Sequence, residues 1–219
     1  MELIVKPVDT SLLWHIFFKE PCTEKLSGDL NILLRCDFAK TFDLRLNDIR
    51  VNYNSLSNDF IHFSKFYDQT WFDVSFGLEE VSATIRNPID EKQVMTLCNG
   101  LLQFISSGII VRQRMNIQQH LSTSGDVLSY LRSLNPNVPA KFEQLLSGRG
   151  MFYTLTVPDH ELTIFITVAN SLFVKGGIFL SIENDFLRNV HDFSNTFTVA
   201  KGQRDFILHE LGLRMEMGT

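Results

Sequence analysis

Cysteine is scarce in this chain, and the little there is follows no pattern. Cys22, Cys36 and Cys98 form an odd set with no CxxC spacing, so neither a disulfide framework nor a thiolate zinc site is expected. Reduced thiols in a cytoplasmic setting are the expectation. No apolar run approaches the roughly 20 residues of a membrane-spanning helix, and membrane insertion is not expected. Met1 to Asp9 lacks a basic stretch followed by an apolar one and a small-residue cleavage site, so no secretory leader is read there. Alanine is short too, five residues against 19 phenylalanines, a bias that carries no functional weight by itself. No Pro-, Gly- or Ser-rich stretch divides the chain.

The local signatures of chemistry are also missing. There is no GxSxG elbow for a nucleophilic serine, and Ser106-Ser107-Gly108 falls at a helix end, the wrong context. GxGxxG and GxxxxGK[ST] phosphate cradles are absent. No pair among His15, His62, His120, His160, His191 and His209 has HxH or HxxxH spacing, so no sequence-local metal site and no cofactor are expected. A net charge of −5 and a pI near 5.7 argue against broad nucleic-acid or anionic-membrane binding, while leaving room for a local basic patch.

What the sequence does carry is strand. Met151, Tyr153, Leu155 and Val157 alternate with Phe152, Thr154 and Thr156, the period-two pattern of a half-buried strand. Pro158-Asp159-His160-Glu161 supplies turn chemistry. Leu162, Ile164, Ile166 and Val168 repeat the alternation, Asn170-Ser171 turns again, and a third strand from Leu172 to Ile182 is expected to bulge at Gly176-Gly177. The threonine-bearing face is the less dry one: a solvated face, or one that meets a partner.

Earlier in the chain, Leu12 to Phe18 and Leu30 to Phe38 read as strands, as do Phe60 to Phe66, Trp71 to Phe76 and Val81 to Arg86. Phe42, Leu44 and Leu46 share one parity and Ile49, Val51 and Tyr53 the other, so Asn47-Asp48 must be a bulge or tight turn. The period then changes to helix. Asn87 is expected to cap it and Pro88 to open it, with Val94, Leu97, Cys98, Leu101, Leu102 and Ile105 as the buried stripe and Gly108 as the stop. Ile109 to Ile117 returns to strand, with Arg112 and Arg114 opposite Val111, Met115 and Ile117. Two short helices follow, one opened by Ser124-Gly125-Asp126 and ended by Asn135-Pro136, the other running from Pro139 to Gly148. Asn184-Asp185 is expected to cap a helix carrying Phe186, Val190 and Phe193. Gln203 to Met215 reads as a terminal helix, Gly212 weakening it by about 1 kcal/mol relative to alanine.

The expected class is therefore α+β: a largely antiparallel sheet packed by a long central helix at about 88–107 and a C-terminal helix at about 203–216. The 219 residues suit one domain, with a possible division into halves at about 1–107 and 108–219.

Four groups of residues could bear on function. Arg112 and Arg114 on one strand face, with Lys141 and Arg149 later, could bind phosphate; nucleic acid would also want aromatics between them, and Gln113 and Met115 are not that. Gly148-Arg149-Gly150 with Ser147 could wrap an anion through backbone N–H groups. Asp159, His160 and Glu161 could contribute acid–base or metal-ligating groups to a site assembled in space. Trp71-Phe72 and Phe17-Phe18 could line an apolar cavity. The leading expectation is a non-enzymatic interaction, assembly or accessory protein working through sheet faces or edges, with protein partners that include a second copy. The alternatives are a small apolar-ligand binder with a cavity under the 88–107 helix, or an enzyme built from distant residues. No catalytic residue is singled out.

Overall fold

The computed structural model describes residues 2–20, 34–35, 39–40, 42–51, 59–67, 69–105, 110–137, 148–157, 161–187 and 193–216. These hold ten strands: β1 (Leu3–Phe18), β2 (Ile49–Val51), β3 (Asp59–Tyr67), β4 (Thr70–Gly77), β5 (Glu80–Arg86), β6 (Ile110–Ser122), β7 (Gly150–Val157), β8 (Leu162–Asn170), β9 (Ile178–Phe186) and β10 (Leu213–Met215). Three helices accompany them, α1 (Glu91–Ile105), α2 (Val127–Leu134) and α3 (Phe193–Glu210). A largely antiparallel ten-stranded sheet with helices is the α+β class that the strand and helix periods imply.

The chain forms two compact units, each assembled from separate segments. One contains residues 11–115 and 185–198, the other residues 1–10, 116–184 and 199–219. Strands β1, β6 and β9 contribute residues to both.

In the first unit the strand order is β2-β3-β4-β5-β1-β6-β9. Alternation puts one residue in two on the dry face, and the register aligns these into rows. Phe63 lies opposite Val74, Val74 opposite Ala83, and Ala83 opposite Trp14. All four are buried to 2% exposure or less, and each large side chain so buried contributes about 1.5–3 kcal/mol relative to exposure. The Trp14 ring lies 4.6 Å from that of Phe193. Its indole N–H, which would be costly if left alone in such a core, donates to Oε1 of the buried Gln113 at 2.9 Å. The parity switch around residue 47 is a 3-10 turn, Leu46–Asp48. Leu34 and Arg35 are helical rather than extended, which corrects the expected strand at those two residues; 30–33 and 36–38 lie outside the described residues. Leu30, Leu33, Leu34 and Phe38 fit a period of 3.6 as well as a strand.

Helix α1 buries Val94, Leu97, Cys98, Leu101 and Ile105, five of the six residues its spacing predicts, while Leu102 is half-buried at the margin of the stripe. Its start is three residues later than the sequence implies. Asn87 adopts a left-handed φ of 53°, and Asp90 takes the capping role, its Oδ1 accepting the Gln93 N–H at 2.7 Å. Gly108, the expected stop, lies outside the described residues.

In the second unit β10 pairs with β1, and the remaining order is β1-β6-β9-β8-β7. Leu162, Ile164, Ile166 and Val168 of β8 are buried on one face. Asp126 caps α2, its Oδ1 accepting the Ser129 N–H at 3.1 Å, and Asn135 ends it. The helix expected from Pro139 lies outside the described residues. The strand expected from Leu172 begins only at Ile178. Residues 171–177 instead close on themselves, the Ser171 N–H donating to Gly177 and the Gly177 N–H to Val174, each at 2.9 Å. The positive φ expected there is present at Gly176, 65°, in a turn rather than a bulge.

The chain's last elements depart furthest from expectation. Asn184 and Asp185 continue β9 instead of capping a helix, Val190 lies outside the described residues, and α3 starts at Phe193. The helix then ends at Glu210 and β10 follows. Gly212 at φ 67° turns the chain so that Leu213 to Met215 run parallel to Leu3 to Val5. The Leu3 N–H donates to the Gly212 carbonyl at 2.9 Å and the Glu216 N–H to that of Val5 at 2.8 Å. Gly212 is thus a helix terminator, where the spacing of Leu208, Leu211 and Met215 pointed to helical continuation.

Candidate functional site

Arg112 and Arg114 do share a face of β6, as an i, i+2 spacing on a strand requires. They converge on one acid. The Arg112 Nε donates to Asp185 Oδ1 at 2.6 Å and its Nη2 donates to Oδ2, a bidentate pair. The Arg114 Nη2 stands 3.8 Å from the same Oδ2. The Asp185 side chain is only 5% exposed, against 37% and 33% for the two arginines. Both guanidiniums also lie over the Phe17 ring, at 5.3 and 5.6 Å from its centroid. An open phosphate-binding face would leave such charges to solvent, whereas here a buried carboxylate and an aromatic ring hold them.

Gly148-Arg149-Gly150 is likewise tied inward. The Arg149 backbone N–H donates to Asn170 Oδ1 at 2.7 Å and its Nη1 to the Asn135 carbonyl at 3.2 Å, so the guanidinium straps the end of α2. Lys141 and Ser147 lie outside the described residues, as do Asp159 and His160. Glu161 is a half-buried turn residue at φ 46°.

The histidines show two pairings that sequence neighbours could not reveal. The ring Nε2 of His62 lies 2.8 Å from Asp73 Oδ2, diagonally across β3 and β4. The His120 Nδ1 lies 2.9 Å from the Ser171 hydroxyl, and its ring sits 4.7 Å from Phe173 and 4.9 Å from Phe179. Ser171 Oγ accepts the N–H groups of Phe173 and Val174, so His120 braces the 171–177 turn. Among the described residues no three His, Cys, Asp or Glu side chains gather as metal ligands. Phe72 is buried, and Trp71 lines a surface hollow of about 470 Å³ with Phe66, Gln69, Arg86 and Asn87.

The feature that side-chain motifs cannot reveal is the edge at β7. Its register with β8 pairs Gly150 with Ala169 through to Val157 with Leu162. One step before, the Asn170 N–H donates to the Arg149 carbonyl at 3.0 Å. Antiparallel pairs alternate between bonded and non-bonded. The odd-numbered residues therefore bond β8, and Gly150, Phe152, Thr154 and Thr156 turn their N–H and C=O groups outward. The strand order ends there, and among the described residues no strand meets that row. Gly-Met-Phe-Tyr-Thr-Leu-Thr-Val contains no charge and no proline. Phe152 is 64% exposed and stacks at 6.2 Å on Phe165, while Leu155 is 39% exposed. Among the described residues the other two edges are blunt by comparison. Strands β2 and β10 have three residues each, Ile-Arg-Val and Leu-Arg-Met, and each carries an arginine. Comparison with protein-family models, with curated proteins and with solved structures finds no match to this chain.

Proposed function

We propose that the protein is an interaction or assembly component that acts by adding a partner's strand to the edge of β7. The observation that carries this reading is an eight-residue terminal strand with no charge, no proline and an exposed phenylalanine. Edge strands of that length are ordinarily guarded by lysine, proline, a bulge or a covering element, because unpaired N–H and C=O groups template further pairing. An added strand gains main-chain hydrogen bonds from the edge and side-chain contacts on alternate residues. Phe152, Thr154 and Thr156 supply those contacts on one face. The Asp185 carboxylate is held by Arg112 within the sheet rather than offered to a substrate.

Thr154→Pro tests it. Proline removes one outward N–H, and its place on the non-bonded parity spares the β7–β8 ladder. Affinity enrichment from the native host with wild-type and Thr154→Pro baits, quantified by mass spectrometry, is expected to show a protein lost with the variant. The same protein should be retained by a bait altered at Phe66 of β3. Equal recovery by all three baits removes the edge from the proposal.

A further inference from the structure

Resting on the edge reading, we infer that the strand β7 accepts is β7 of a second copy, in an antiparallel pair about a two-fold axis. The lack of a guarding charge on β7 points to this occupant. With a net charge of −5 two copies repel each other over most approaches, and Gly150 to Val157 is a stretch where neither copy brings a charge. Natural edges that avoid their own kind place a charge inward or outward on the strand, and this one has none, while β2 and β10 carry Arg50 and Arg214.

Parity then fixes the register. Outward groups sit on even-numbered residues, so only pairings of even with even make hydrogen bonds. The alignment that uses all four places Phe152 opposite Thr154 of the other copy, and Gly150 opposite Thr156. Each such pair exchanges two N–H···O=C bonds, and each exposed Phe152 ring gains a threonine methyl beside it. A two-fold interface repeats every contact, so one substitution removes two bonds. A strand pair of this length falls below the roughly 1,200 Å² of a standard specific interface, and a weak, concentration-dependent dimer is what it supports.

Sedimentation equilibrium or light scattering on the full chain decides the matter. The weight-average mass should rise from 25.2 kDa toward twice that value between about 1 and about 200 µM, the weak end of interface affinities. Thr154→Pro and Thr154→Lys should each raise the dissociation constant about tenfold or more, with circular dichroism and melting temperature unchanged. The lysine variant serves if the proline one folds poorly. In hydrogen exchange, the Phe152, Thr154 and Thr156 amides should slow at high concentration, while those of Tyr153 and Leu155 are protected throughout. A wild-type chain that stays monomeric over the whole range overturns the second copy as occupant. The edge reading survives that result if the bait experiment still depends on Thr154. Dimers formed equally by both variants overturn the β7 interface.

Discussion

Replacing Asp185 by asparagine should be among the costliest single changes of charge in this chain. The carboxylate accepts two hydrogen bonds from Arg112 and lies within ion-pair distance of Arg114. A hydrogen bond to a charged group contributes about 1.5–3 kcal/mol, and breaking a fully buried pair costs about 3–5 kcal/mol. The arginines are roughly one-third exposed, so water recovers part of that loss, and about 2–3 kcal/mol is expected. For a chain of this size each kcal/mol moves the melting temperature by about 2–4 °C, which gives a drop of about 5–10 °C. Thermal unfolding by circular dichroism at pH 7, checked by calorimetry, reads it. The double change Arg112→Met with Asp185→Leu should cost less than Asp185→Asn alone, because it leaves no uncompensated Arg112 charge. An Asp185→Asn protein melting within about 2 °C of wild type would refute the coupling.

Further expectations follow from single sites. A Cβ on Gly177 would meet the Leu121 carbonyl oxygen at 2.5 Å and Val174 Cγ1 at 2.7 Å, whereas one on Gly176 meets open space at φ 65°. Gly177→Ala should therefore destabilise by about 1–3 kcal/mol, and Gly176→Ala by only about 1 kcal/mol; the reverse order in urea melts would refute the steric account. Burial pushes the Cys98 thiol well above its ordinary value, so Cys98 should resist alkylation at pH 8 until the chain unfolds, as peptide mapping would show. The Arg45 N–H, and secondarily Lys65, hold the Asp48 carboxyl below its ordinary 3.8. A depressed folded-state value means stability present above the unfolded value and lost as pH falls through the folded one. A carboxyl NMR titration should place its midpoint below 3.8, and Lys65→Met should raise it.

The strand-rich body was legible because its signal is periodic and redundant. Four inward residues in β8 and four in the second half of β1 agree on one period. Where polar residues occupy a strand the signal fades. The first half of β1 carries Lys6, Pro7, Asp9 and Thr10, and β6 runs on through Gln118, Gln119 and His120, so both strands extend beyond their sequence boundaries. The terminal helix failed for a different reason. Ile207, Leu208 and Leu211 are helical in spacing, but a left-handed glycine and an available edge at Leu3 to Val5 override propensity for the last three residues. Arg112 and Arg114 share a face, as their spacing implies. Their acid lies 73 residues away from Arg112, and no spacing rule reaches that far.

A triad, a metal centre or a phosphate cradle requires particular side chains at particular places, and so leaves a motif. An accepting strand edge works through N–H and C=O groups that every residue except proline possesses. Its demands on sequence are slight: no proline on the outward parity, no charge opposite the incoming strand, and enough β-branched and aromatic character to stay extended. Gly150 to Val157 meets all three, and so do many strands buried in the middle of a sheet. The discriminating fact is position, the end of the strand order, and position is set by the whole topology rather than by the eight residues themselves. Grafting those residues onto an interior strand of another protein should therefore confer no association. Covering the β7 edge in this one should abolish it without altering a single side chain.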